Sequence, residues 1–172
     1  MRVRTAALAV LVAAAGAVVA PAVAHAAPVC QGSRLSVGQN LDGHQEGMLH
    51  RGVDVTVTNA GHDPCVLDGY LGIALLDRDG HPLATTVHKG PTYFESDPGP
   101  RAITVPPDTT LAADLAWRLP SAPSDPHVTP AYLRVTTPGA TDGAFTVPFA
   151  VGPVYRGDLD TTALSPFTGP RP

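Results

Sequence analysis

From Val53 to Asn59 valine alternates with polar side chains, Val53-Asp54-Val55-Thr56-Val57-Thr58-Asn59. This is the period-2 pattern of a strand that turns one face to a core and the other to water. Composition then changes to Ala60-Gly61-His62-Asp63-Pro64, where glycine admits positive φ and proline lacks an amide donor, so the strand stops. Cys65-Val66-Leu67-Asp68-Gly69-Tyr70 follows, and then the apolar run Ile73-Ala74-Leu75-Leu76. That run ends at Asp77-Arg78-Asp79-Gly80, a turn signal that predicts a hairpin with Leu83, Thr85 and Val87 on its return arm.

Alternation recurs along the chain. Leu35 and Val37 mark a first strand, and Ile103 and Val105 lead into the turn Pro106-Pro107-Asp108. Leu111, Ala113, Leu115 and Trp117 share one face of a further strand, with Ala112, Asp114 and Ala116 opposite, which assigns Trp117 to the core. Residues 131–136 form another, and Phe145, Val147, Phe149 and Val151 alternate in the last. Pro148 has no amide to give a ladder, so this strand belongs at an edge or a bulge. A loop rich in glycine, proline and polar residues is expected over residues 88–100, and a rigid, irregular proline-rich loop over residues 120–130. With no convincing amphipathic helix, the pattern predicts an all-β antiparallel sandwich of about seven or eight strands over residues 27–151. Residues 152–172 read as a loosely ordered Pro/Gly-rich extension.

The succession Val-x-Val-x-Val-Thr-Asn-x-Gly, Pro-Cys-x-Leu-x-Gly-Tyr, an apolar strand and Asp-x-Asp-Gly resembles the actinobacterial secreted family catalogued as domain of unknown function 4232. The resemblance covers roughly Cys30 to Val151. It implies an immunoglobulin-like β-sandwich behind a secretion signal or lipid anchor, and no established activity. Leu71 stands where a proline commonly follows Gly-Tyr, and the later cysteines of many members are absent.

At the N-terminus, Arg2 and Arg4 precede an apolar stretch from Ala6 to Ala20 and the small-residue site Ala24-His25-Ala26. Residues 1–26 are therefore expected to be a cleaved secretory signal peptide; the apolar core is short for a membrane anchor. Ala27-Pro28-Val29 before Cys30 fits a lipid-acceptor site poorly, so a released, extracellular monomer without membrane contact is expected. Cleavage removes Arg2 and Arg4, leaving nine basic residues against fifteen acidic ones and a formal charge of −6. Lys89 is the only lysine and the arginines are scattered, which disfavours nucleic-acid binding. Two cysteines in an exported domain are read most economically as one disulfide, Cys30 to Cys65; a redox or metal pair would need closer spacing.

Motifs for catalysis are missing: no Gly-x-Ser-x-Gly elbow, no His-Glu-x-x-His pair and no phosphate-binding glycine loop. His44-Gln45-Glu46 has half of a zinc deaminase signature without its cysteine half, and Asp77-Arg78-Asp79-Gly80 opens like a calcium loop without its later ligands. The expectation is thus a non-enzymatic binding or structural module without cofactors. Its partner would be an unidentified protein or cell-wall component, contacted through Tyr93 and Phe94 in the 88–100 loop, unless those rings fold back onto the sandwich. The alternative is a secreted copper-binding protein using His44, Met48 and His50, since imidazole and thioether suit copper.

Overall fold

The computed structural model describes residues 27–149 and 152–169; the expected signal segment, Val151 and the last three residues lie outside them. After a 3-10 turn at Gly32–Arg34 come β1 (Leu35–Gly47) and β2 (His50–Asn59), then β3 (Cys65–Asp68), β4 (Gly72–Leu76) and β5 (Thr86–Lys89). They are followed by β6 (Ala102–Val105), β7 (Thr110–Arg118), the short β8 (His127–Val128), β9 (Tyr132–Thr136) and β10 (Ala144–Pro148). The described chain closes with β11 (Val154–Tyr155), β12 (Asp158–Thr161) and β13 (Ser165–Pro166).

The fold is an all-β sandwich. Its larger sheet runs β1-β2-β7-β12-β5, with β13 beside β7, and its smaller sheet runs β10-β9-β4. β8 with β11, and β3 with β6, make two-stranded ribbons. The valines of β2 and Leu111, Ala113, Leu115 and Trp117 of β7 share one buried cluster with Leu75, Leu133, Val135 and Val147 of the smaller sheet. Phe149 lies against Trp117, ring centroids 5.1 Å apart. β10 is an edge strand, as Pro148 requires, and Gln39 Nε2 of β1 donates to the Pro148 carbonyl at 2.6 Å.

The recurring motif residues hold turns rather than chemistry. Buried Asn59 donates through Nδ2 to the carbonyls of Asp63 and Val105, each at 2.9 Å, and accepts the Gly61 amide at 3.0 Å. Gly69 sits at φ +90°, where a Cβ is disfavoured, and its carbonyl accepts the Leu164 amide. Leu71, at the proline position, is wholly buried. Cys30 and Cys65 form a buried disulfide across 35 residues of sequence. The backbone zips beside it, the Cys30 amide donating to Val66 and the Val66 amide to Pro28.

Three expectations are corrected. The polar face of β2 is covered at its centre: Asp54 and Asp114, opposite each other on β2 and β7, are 0 % and 1 % exposed, while Thr56 and Thr58 are partly buried. The 88–100 loop supplies Thr92, whose hydroxyl donates to Asp114, and residues 162–164 cross the same face, Thr162 Oγ1 accepting the Asp114 amide. The Asp79-Gly80 turn returns through Leu83, whose amide donates to the Leu75 carbonyl, and Thr85, whose hydroxyl accepts the Leu75 amide at 3.0 Å; Val87 instead pairs in parallel with Leu159. Residues 152–169 are no loose extension either. β12 lies between β7 and β5, and Val154, Leu159, Ala163 and Leu164 are buried, so these side chains complete the core.

Candidate functional site

The β1–β2 hairpin ends on the pair Gly47 and His50, leaving a two-residue turn of Met48 and Leu49. Such turns follow the right-handed twist of their strands in the mirror-image types, of which type I′ takes positive φ at both central residues and is dominated by Asn-Gly. Here φ is +45° at Met48 and +66° at Leu49, two residues with a Cβ that is crowded in this region. Burial repays little of this strain, for Met48 is 85 % exposed and Leu49 only about half buried at 47 %.

Beside the turn, the 88–100 loop delivers two rings. Tyr93 stacks on His50 with centroids 4.1 Å apart and planes 1° from parallel, and Phe94 meets Tyr93 edge-on at 5.0 Å. The loop is bent by Thr92, whose hydroxyl accepts the Phe94 and Glu95 amides at 3.2 and 3.0 Å. Farther along, the Tyr70 hydroxyl and the Ala163 amide donate to Asp97 at 2.5 and 2.8 Å. Burial raises the Asp97 carboxyl, but the Ala163, Tyr70 and Gly99 hydrogen bonds together carry it below the ordinary range. Phe94 rests on Gly52, where a Cβ would come within 2.8 Å of its ring. The rings thus fold back onto the sandwich, but unequally: Phe94 is seated, while Tyr93 stays 49 % exposed.

On the other flank, Arg118 pairs with His50 across the sheet, and the Leu119 amide donates to the Leu49 carbonyl at 2.7 Å. The guanidinium carbons of Arg118 and Arg156 lie 4.8 and 5.7 Å from the centroid of the Tyr155 ring. Among the described residues neither arginine forms an ion pair, whereas Arg51 is paired with Glu46 at 3.0 Å. A shallow 380 Å³ groove lined by Pro120, Pro123, His127 and Pro153 adjoins this flank. On β12, between Ala116 and His88, the Asp160 carboxyl is pushed up by burial, opposed by His88 and His50.

The copper ligand set is not assembled. His44 Nε2 lies 2.9 Å from Glu46, His50 Nδ1 lies 3.1 Å from the Met48 carbonyl with its ring against Tyr93, and Met48 points into solvent. Asp77, Asp79 and His81 do place ligand atoms within 4.8 Å of one another. Asp77 Oδ1, however, already accepts the Asp79 and His81 amides at 2.9 and 2.8 Å, the work of a turn. Tyr155 and Arg156 are missed by sequence reasoning because only the short Asp158-Leu159-Asp160-Thr161 run brings their neighbourhood to β7, and Arg118, at the end of β7, has no local signal that marks it.

The model of a family described as a domain of unknown function, DUF4232, matches residues 30–165. No curated protein and no solved structure matches the chain. Among the described residues no helix is long and apolar enough to cross a membrane.

Proposed function

The chain belongs to the DUF4232 family of domains of unknown function, and we propose that it is an exported, non-catalytic, immunoglobulin-like binding module that meets its partner with the end of the sandwich formed by Met48, Leu49, His50 and Tyr93. The strained turn carries this reading. Two residues that would be more stable as Asn-Gly are instead apolar, held at positive φ and displayed to solvent; strain of this kind concentrates at working sites. Export is supported by the basic and then apolar pattern of residues 1–26 together with the disulfide. The module reading is further supported by the family motif, whose residues are consumed in turns and core.

The test is a photo-crosslinking amino acid placed at position 48 of the secreted protein, with position 79 in the Asp79-Gly80 turn as control. Adducts with envelope components that form from position 48 and are absent from position 79 are expected. Equal adducts from both positions, or none from position 48, would remove the basis for assigning the end a binding role.

A further inference from the structure

We propose that the partner of the hairpin end is an anionic lipid bilayer, with Met48 and Leu49 entering the headgroup region and Arg118 and Arg156 facing the lipid phosphates. This rests on the reading of that end as the binding surface and names what it binds.

The shape is the first argument. Met48 projects from the hairpin end, 85 % exposed, while Leu49, 47 % exposed, borders with it a shallow 280 Å³ depression that His50, Arg51 and Leu119 also line. A folded protein would need a pocket complementary to that spike, whereas a fluid bilayer opens around it. The two carbonyls of the tip are already engaged, that of Leu49 by the Leu119 amide and that of Met48 by His50 Nδ1 at 3.1 Å, which lowers the polar cost of entry. Backbone groups without such partners would resist transfer out of water.

Charge supplies the second argument. The whole chain is acidic, with a formal charge of −4, and cannot be drawn to an anionic surface by its net field. Cations at the tip must do so locally. Arg118 lies across the ladder from His50, and Arg156 shares the Tyr155 ring with it. Among the described residues neither guanidinium is in salt-bridge contact with a carboxylate; Arg118 lies within electrostatic reach of Asp125, whose carboxylate is held by Ser121 and Ala122, so Arg156 in full and Arg118 in part can answer to phosphate. Tyr93, half-exposed and fixed against His50, stands beside the tip with the amphipathic ring favoured at a membrane interface. Apolar insertion joined to local basic charge is the general requirement for reversible binding at a membrane surface.

The test is co-sedimentation of the mature, disulfide-bonded protein with extruded vesicles of phosphatidylcholine alone or mixed with phosphatidylglycerol. Partition onto the anionic vesicles is expected, and it should fall roughly tenfold or more in the double variant Met48→Asn with Leu49→Gly. That variant suits the turn better than the native pair, so its loss of binding cannot be ascribed to misfolding. Arg118→Gln with Arg156→Gln should weaken binding severalfold, and salt of about 0.5 M should reproduce the effect in the native protein. Equal background sedimentation with both vesicle types, or partition unchanged in the Asn-Gly variant, overturns the lipid assignment. If position 48 still crosslinks to an envelope component in that event, the end remains a binding surface for a different partner; if crosslinking fails too, both readings fall.

Discussion

Replacing Met48 by Asn and Leu49 by Gly should make the protein more stable, although it deletes two hydrophobic side chains. In the left-handed region a residue with a Cβ carries a penalty of roughly 1–2 kcal/mol, and both turn residues sit there, at φ +45° and +66°. Asn tolerates the region and Gly has no Cβ to crowd, so most of about 2–4 kcal/mol is recovered. Two losses oppose this. Gly has more freedom in the unfolded chain, costing about 0.5–1 kcal/mol. Leu49 is 47 % exposed and surrenders about half of a full burial, on the order of 1 kcal/mol; Met48, at 85 % exposure, surrenders little. The balance runs from about zero to a gain of about 2.5 kcal/mol and centres on about 1 kcal/mol, for a domain of this size a rise in Tm of about 3–5 °C. Calorimetry and urea unfolding with an unchanged m value measure it. A Tm below that of the native protein would refute the strain argument, and with it the reason for regarding the turn as functional.

Other substitutions test the frame that carries this end. Cys30→Ser with Cys65→Ser releases a closure of 35 residues and should cost about 4 kcal/mol in the chain-entropy model, seen as a lower urea midpoint that reductant reproduces in the native protein. Asn59→Ala leaves the buried Val105 carbonyl and the Asp63 and Gly61 groups without their partner; a loss of about 2–4 kcal/mol is expected by chemical denaturation. The Asp97 carboxyl lies below the ordinary range when folded, so its contribution is complete above the unfolded carboxylate value and is lost as pH falls through the folded one. Thermal scans between about pH 5 and 2 should therefore show a shallower acid decline in Asp97→Asn than in the native protein.

The interior of the fold was legible where one face of a strand is buried and the other polar. The Val53, Val55 and Val57 alternation and the Leu111 to Trp117 face both point into the shared core, and the cysteine count led to the observed pair. Alternation failed on the opposite face, because Asp54 and Asp114 read as solvent-facing until a distant loop and residues 162–164 covered them. No local pattern announces such a cover. β12 escaped notice for a related reason: a four-residue strand among prolines and glycines lacks a long period, and its pairing with β5 is parallel and remote in sequence. The hairpin tip was hidden by its own peculiarity. Without Asn-Gly, Gly47-Met48-Leu49-His50 carries no turn signature, so its His and Met side chains were weighed as metal ligands rather than as the point of a spike.

Amide hydrogen exchange of the mature protein, with and without envelope membranes from the producing cells, tests the central claim most directly. Slower exchange confined to the turn between β1 and β2, the segment around Tyr93 and the Tyr155-Arg156 turn is the predicted result. Protection on the β10-β9-β4 sheet with an unchanged hairpin end would contradict it.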